Sequence, residues 1–219
     1  MGKSTVLRFF LPQKCMICGE ISPEDNVCED CYTSFQQLKI SGYAREIKHN
    51  CFKYLDGCLS FYYYKDAVRQ GILRAKYKSC GAFIDGFLKY MDLDFAQFCS
   101  ENRIDTIISV PAHKSKFYDS EYDLPQQMAI CIAKKNKLQY NKNLIIKIKK
   151  TKNQHDLSLV QRKSNLKNAF CLKQDVTGKR ILIVDDIIST GYTLEEVARC
   201  LKKGGAEAVM AVTFAYNKQ

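Results

Sequence analysis

The chain has 219 residues, enough for one sizeable domain or a domain with a small appended module, and it carries a net charge of +11. That basic excess suits polyanionic partners such as nucleic acid, nucleotides or phosphorylated sugars, and it equally suits a composition that is simply rich in lysine. The 11 cysteines are odd in number and scattered, unlike a secreted disulfide framework. No apolar run is long enough to cross a bilayer, and the first ten residues fit neither a signal peptide nor a myristoylation pattern, so a cytoplasmic protein with reduced thiols is expected.

In chain order, the first chemistry-bearing feature is a pair of Cys-x-x-Cys knuckles, Cys15-Met-Ile-Cys18 and Cys28-Glu-Asp-Cys31. At this spacing four thiolates can surround one Zn²⁺ tetrahedrally, and Gly19 suits the tight turn after the first pair. The polar segment from Glu20 to Val27 has too few apolar side chains to hold itself together, so a metal would supply the folding energy. A redox-active Cys-x-x-Cys normally occurs once, near a strand-to-helix junction, which favours a closed structural zinc site without catalysis. Cys51, Cys58, Cys80, Cys99, Cys131, Cys171 and Cys200 stand singly in apolar or amphipathic contexts and read as small buried hydrophobes.

Residues 32–50 read as a connector with a short helix. Tyr54 to Tyr64 is aromatic-rich and suits a strand pair or one long strand, with Asp56-Gly57 as a turn candidate. Its Phe61-Tyr62-Tyr63-Tyr64 run fits a half-buried strand better than a platform for stacked bases. Helical spacing follows from Asp66 to about Lys76 and from Gly81 to Phe98. Ile104 to Val110 is a buried strand ended by Pro111. Leu124 to Leu138 is a helix, Leu144 to Ile148 a strand, and Lys179 to Val184 another. Thr193 to Lys203 is a helix stopped at Gly204-Gly205, and Ala208 to Phe214 is a final strand. Apolar strands alternating with helices predict an α/β fold, a parallel sheet covered on both faces.

The segment Ile181-Leu-Ile-Val-Asp185-Asp186-Ile-Ile-Ser189-Thr190-Gly191-Tyr-Thr193 concentrates the chemistry. A buried strand delivers two adjacent carboxylates to its C-terminal end, where open α/β sheets bind ligands. Two carboxylates can accept hydrogen bonds from vicinal ribose hydroxyls. Backbone N–H groups and the hydroxyls of Ser189, Thr190 and Thr193 can wrap a phosphate at the start of the following helix, with Gly191 permitting close approach. A 5-phosphoribosyl group fits. A phospho-receiver domain does not, because only one helix and one strand follow Asp186, and no GxxxxGK[ST] phosphate loop is present.

This segment resembles the phosphoribosyl-pyrophosphate signature of type I phosphoribosyltransferases. Together with the knuckles, the whole chain resembles the ComF family of phosphoribosyltransferase-like competence proteins. The stretch from Gln154-His-Asp-Leu157 through Gln161-Arg162 and Asn165 to Ala169-Phe170, and the triplet Lys76-Tyr77-Lys78, match family elements. Where the family commonly has Arg-Gly-Phe-Asn-Gln, this chain has Ser120-Glu-Tyr-Asp-Leu-Pro-Gln126-Gln127.

The resemblance implies a type I phosphoribosyltransferase-like sheet over residues 46–219 and a small four-cysteine zinc module over residues 1–45. It assigns Asp185 and Asp186 to the ribose hydroxyls, and Ile187, Ile188, Ser189, Thr190, Gly191, Tyr192 and Thr193 to the 5′-phosphate. The turn Pro111-Ala112-His113-Lys114 falls to the pyrophosphate, with Mg²⁺ bridging pyrophosphate and ribose oxygens. It also implies a role in DNA uptake and natural transformation, with a competence helicase or other uptake proteins as candidate partners. Transfer of a phosphoribosyl group, and ligand binding without chemistry, both remain open. His113 reads equally as a phosphate donor and as a surface histidine, whereas His49 and His155 read as structural.

From Leu124 to His155 the chain has no acidic residue, while Lys134, Lys135, Lys137, Lys142, Lys147, Lys149, Lys150 and Lys152 accumulate. Such a stretch attracts a phosphate backbone and is the expected contact for single-stranded DNA. A Lys-decorated edge strand, or a loop closing over pyrophosphate, would carry the same pattern.

Overall fold

A computed structural model describes residues 14–22, 27–41, 46–48, 51–78, 91, 95–112, 123–149 and 165–218. The side chains of Tyr77 and Lys78 lie outside that set, as do His49, Cys80, most of the helix expected from Gly81 to Phe98, and residues 113–122 and 150–164. The elements in order are α1 (Glu29–Gln37), β1 (Gly57–Tyr63), α2 (Asp66–Lys78), α3 (Phe95–Glu101), β2 (Thr106–Ser109), α4 (Leu124–Lys135), β3 (Gln139–Tyr140), β4 (Ile145–Lys147), β5 (Phe170–Leu172), β6 (Arg180–Ile188), α5 (Tyr192–Lys203) and β7 (Ala208–Tyr216). None of the described helices is long and apolar enough to cross a membrane.

Five strands form one sheet in the order β1-β7-β6-β2-β3, with every pairing parallel. The expected α/β architecture with helices on both faces is therefore present. Its centre is the run Ile181 to Val184, all fully buried, whose period-two alternation sends Leu182 and Val184 to one core and Ile181 and Ile183 to the other. The first core is closed by Val68, Ile72 and Ala75 of α2 and by Leu124, Met128 and Ile132 of α4. The second is closed by Leu194, Val197, Ala198 and Leu201 of α5 together with the β4–β5 pair.

The cysteine knuckles share the first core. Met16, Ile17, Val27 and Phe35 pack into it with Phe61, Tyr62 and Phe214. The Phe35 ring centroid lies 4.4 Å from that of Tyr62 and 5.9 Å from that of Phe214. Each such aromatic removes enough apolar surface from water to stabilise the fold by about 1.5–3 kcal/mol. Tyr62 is fully buried, as a strand residue in a packed core should be.

Three local expectations differ from the fold. Asp56-Gly57 is not a turn: the Asp56 N–H donates to the Val209 carbonyl at 2.9 Å and its carboxylate accepts the Val209 N–H at 2.6 Å, starting β1 alongside β7. The helix after Leu124 stops at Lys135, three residues before Leu138. The Asn136 amide there donates to the Ile132 carbonyl at 2.7 Å, and Lys137 adopts a left-handed φ of 54°. The apolar run at Ile145 leaves the parallel sheet and pairs antiparallel with β5.

Candidate functional site

In chain order β2 leads outward to β3, whereas β6 leads the other way to β7, so the direction of winding reverses between β2 and β6. Ligands of open α/β sheets bind beyond the C-terminal ends of the strands at such a reversal. The two strands stay in register up to it. Ser109 pairs with Val184, and the Val110 N–H donates to the Val184 carbonyl at 3.0 Å. The turn at Pro111 and Ala112 therefore leaves the sheet beside Asp185; His113 and Lys114 lie outside the described residues.

β6 continues through both carboxylates to Ile188. Ile187 and Ile188 pair with Ala215 and Tyr216 and pack into the core, leaving Ser189, Thr190 and Gly191 as the loop. Asp185 accepts the Asp186 N–H at 2.9 Å. Burial, and then the neighbouring Asp186 charge, push the Asp185 carboxyl well above its ordinary range. Asp186 is buried and ion-paired with Lys76 of α2. Burial opposes charge on Lys76, but the Asp186 carboxylate outweighs it and raises the Lys76 pKa.

Asp123 faces the same crevice. It caps α4 by accepting the Gln126 N–H at 3.0 Å. Burial raises its pKa, Asp186 adds to the rise, and Lys142 and Lys76 oppose it. Beside it a cavity of about 130 Å³ is lined by Ser109, Pro111, Asp123, Tyr140, Lys142 and Lys147, among others. Ser109 Oγ and the Tyr140 hydroxyl lie 3.1 Å apart across it.

Gly191 stands just before α5 with φ +71°, a conformation costly for any side chain, and no side chain caps the helix there. The first-turn N–H groups can thus face an anion. Ser189 is half-buried and Thr190 buried. Behind the loop, Cys51 donates its thiol to the Thr190 carbonyl at 3.2 Å, and a Cβ on Gly191 would come within 2.6 Å of the Phe52 ring. Glu195, in the first turn of α5, accepts the backbone N–H groups of Lys53 at 2.9 Å and of Tyr54 and Leu55 at 3.2 Å.

A second site lies in the N-terminal module. The ligand atoms of Cys15, Cys18, Cys28 and Cys31 all lie within 4.8 Å of one another, and the sulfurs of Cys18 and Cys28 are 3.7 Å apart. A tetrahedron with metal–sulfur bonds of about 2.3 Å has edges near ~3.8 Å, so the four thiols fit a Zn²⁺ ion and leave no open position. Cys15 shows how the chain prepares thiolate: burial works against it, but backbone N–H groups of Cys28, Cys18 and Ile17 prevail and lower its pKa to about 6. Burial and the neighbouring thiols raise Cys31, so four free thiolates would repel one another without a cation.

The basic stretch divides. Lys134, Lys135 and Lys137 are exposed at the C-terminal end of α4, at the sheet edge opposite the carboxylates, where Asn136 and Leu138 join Arg103 around a groove of about 340 Å³. Lys147 lines the cavity near Asp123, and Lys149 follows it, exposed. Lys150 and Lys152 lie outside the described residues. The roles of Asp123, Cys51, Phe52 and Glu195 escaped the sequence reading, and Lys76 entered it only within the triplet Lys76-Tyr77-Lys78, with no role assigned. Asp123 had a readable signal, an Asp two residues before Pro125 at the start of a helix.

A profile of the phosphoribosyl transferase domain matches residues 137–219, which contain both carboxylates and the Ser189–Gly191 loop. The DNA utilization protein YhgH of Escherichia coli (strain K12) is 34% identical over 105 residues, 48% of this chain and 46% of the relative. Competence protein F of Haemophilus influenzae is 32% identical over 108 residues, 48% of this chain and 47% of the relative. Competence protein ComFC of Bacillus subtilis is 23% identical over 203 residues, 91% of this chain and 76% of the relative. The match spans about half the length of the first two relatives. The parallel fold and the matched profile support a phosphoribosyltransferase-like protein. These relatives support a ComF-family protein of that kind.

Proposed function

We propose that this chain binds 5-phosphoribosyl pyrophosphate with Mg²⁺ at the C-terminal edge of its sheet, and that it acts in the uptake or use of DNA, as the names of its relatives suggest. One observation carries the ligand assignment. A single strand-loop-helix unit, β6 to α5, sets Asp185 and Asp186 beside a left-handed glycine and an uncapped helix start, at the reversal point of the sheet. The carboxylates accept the ribose hydroxyls, and the loop N–H groups hold the 5′-phosphate. Mg²⁺ suits this oxygen-rich setting because it keeps several waters and binds through one or two carboxylates plus the phosphates of the ligand. Phosphoribosyl transfer to an acceptor is the reaction such a ligand supports, with the carboxylates offsetting positive charge developing on the ribose ring. The test is calorimetric titration of Mg²⁺–phosphoribosyl pyrophosphate into metal-loaded protein. Micromolar binding that vanishes in Asp185→Asn/Asp186→Asn supports the reading; no binding to folded wild type overturns it.

A second reading, single-stranded DNA binding, is favoured by Lys134, Lys135, Lys137 and Arg103. All four are exposed, and none makes an ion pair among the described residues. Unpaired exposed cations can each replace a condensed counterion on a phosphate backbone. Binding that weakens with salt, and weakens further on Lys134→Gln/Lys135→Gln/Lys137→Gln, is the expected result. Salt-independent binding, or none, would remove this reading and leave the first intact.

A further inference from the structure

Helix α2 touches both sites. Its buried stripe, Val68, Ile72 and Ala75, faces the first core. The residues flanking Ala75 lie about 200° apart round the helix and so point to opposite sides. Lys76 reaches Asp186. Arg74 turns the other way and donates from Nη1 to the Cys18 carbonyl at 3.2 Å, inside the first cysteine knuckle. Gly19, with φ +88°, lies against the Arg74 guanidinium so closely that a Cβ there would collide with it. Met16 and Ile17 of the same knuckle share the core with the α2 stripe. One rigid helix is therefore fixed to the metal knuckle at Arg74 and to a ribose carboxylate at Lys76.

We propose that Arg74 is a positioning residue. By docking α2 on the four-cysteine knuckle it sets Lys76 against Asp186, so that metal loading and the geometry of the carboxylate pair are coupled. This rests on the phosphoribosyl-pyrophosphate reading for its functional consequence, but not for the coupling itself. Asp186 is buried next to Asp185, and Lys76 is the cation it meets. Removing one partner of such a pair leaves an uncompensated buried charge, which is far more costly than a shift in packing. Among the described residues, the other charged or titratable groups around Lys76 are Asp185, Asp123 and Tyr64. Asp186 retains acceptor capacity for a ribose hydroxyl while paired, because a carboxylate offers about four lone-pair sites.

The experiment uses the full chain with its metal bound, as wild type, Arg74→Met, Lys76→Met and the double variant, together with wild type stripped of metal. Two readouts are taken. The first is acylation of Lys76 by acetic anhydride, followed by mass spectrometry, which needs no ligand. Lys76 should be protected in loaded wild type and acylated about tenfold faster in Arg74→Met and after metal removal; equal rates overturn the proposal. The second is affinity for Mg²⁺–phosphoribosyl pyrophosphate. Arg74→Met should weaken it about tenfold with metal content unchanged, and the double variant should be no weaker than Lys76→Met alone, as coupled residues behave. Additive losses overturn the proposal. Should Arg74→Met fail to fold, Gly19→Ala displaces the guanidinium without altering α2, and the acylation readout decides. If wild type binds no phosphoribosyl pyrophosphate, the ligand reading fails while the acylation result still judges the coupling.

Discussion

Glu195 accepts the backbone N–H of Lys53 at 2.9 Å, across 142 residues of chain. A glutamate in the first turn of a helix ordinarily complements that helix's own dipole. Here it also ties down the segment 53–55, whose neighbours Cys51 and Phe52 seal the back of the Ser189–Gly191 loop. That loop is therefore held from behind by a part of the chain that joins the cysteine module to the sheet.

Replacing Glu195 by Ala leaves those N–H groups without their acceptor and should cost about 1–3 kcal/mol of stability. Thermal unfolding measures it, and Glu195→Gln should recover part of the loss because its carbonyl oxygen still accepts.

Gly191→Ala meets two obstacles, a φ of +71° and a Phe52 ring atom 2.6 Å from the new Cβ. The backbone strain alone is about 1–2 kcal/mol. Denaturant unfolding should show at least that loss. Adding Phe52→Ala should relieve the steric part and leave the conformational part.

Asp185 makes the pH dependence informative. Its folded-state pKa is raised well above the ordinary value near 3.8. Between those two values the folded protein holds a proton that the unfolded chain has released, so stability falls as pH rises through the window. Asp123, also raised, acts in the same direction. Asp185→Asn should thus stabilise the ligand-free protein at pH 7–8, with little effect below about pH 4. Melting temperatures of both proteins across that range check it; an unchanged pH slope in the variant would remove Asp185 as the cause.

Metal removal should affect more than the knuckles. Four thiols, one of them lowered to about 6, favour a thiolate-bound ion whose loss leaves repelling sulfurs against Met16, Ile17 and Phe35 in the core. Treatment with a chelator should release one equivalent of zinc per chain and lower the melting temperature of the whole protein, not of a separate minor transition. Substituted Co²⁺ should give the absorption of a tetrahedral four-sulfur site, lost in Cys18→Ser.

Much of this molecule can be read in the chain because local signals and global fold agree. The run from Ile181 to Gly191 announces a buried strand, two acids and a turn within one window, and nothing distant is needed to interpret it. The Cys-x-x-Cys pairs carry their geometry in their spacing. Other features depend on partners far away in sequence. Lys76 and Asp186 are 110 positions apart, and no pattern within α2 marks one cation as paired. Asp56-Gly57 has the composition of a hairpin turn, but Val209 takes up its backbone and makes it a strand start. The lysine-rich run looks continuous, yet α4 carries Lys134, Lys135 and Lys137 to one edge of the sheet and β3 returns the chain to the other before Lys147. Strand β5, only three residues long, has too little periodicity to be seen.

The sheet order has a consequence for how the protein is made. β7 lies between β1 and β6, so the earliest and the later strands of this sheet have no contact until the strand synthesised after both is inserted between them. The aromatic lid of the cysteine module waits on the same event, because Phe35 and Tyr62 find Phe214 only on β7. During translation the module can capture its metal early, and residues 38–40 and 46–47 can bridge one edge of β1. The β7-facing edge of β1 must nevertheless remain unpaired while about 145 further residues emerge, on the order of 7–30 s at elongation rates of about 5–20 residues per second. That interval is when this chain is most exposed to aggregation, and it is when a holding chaperone would find it.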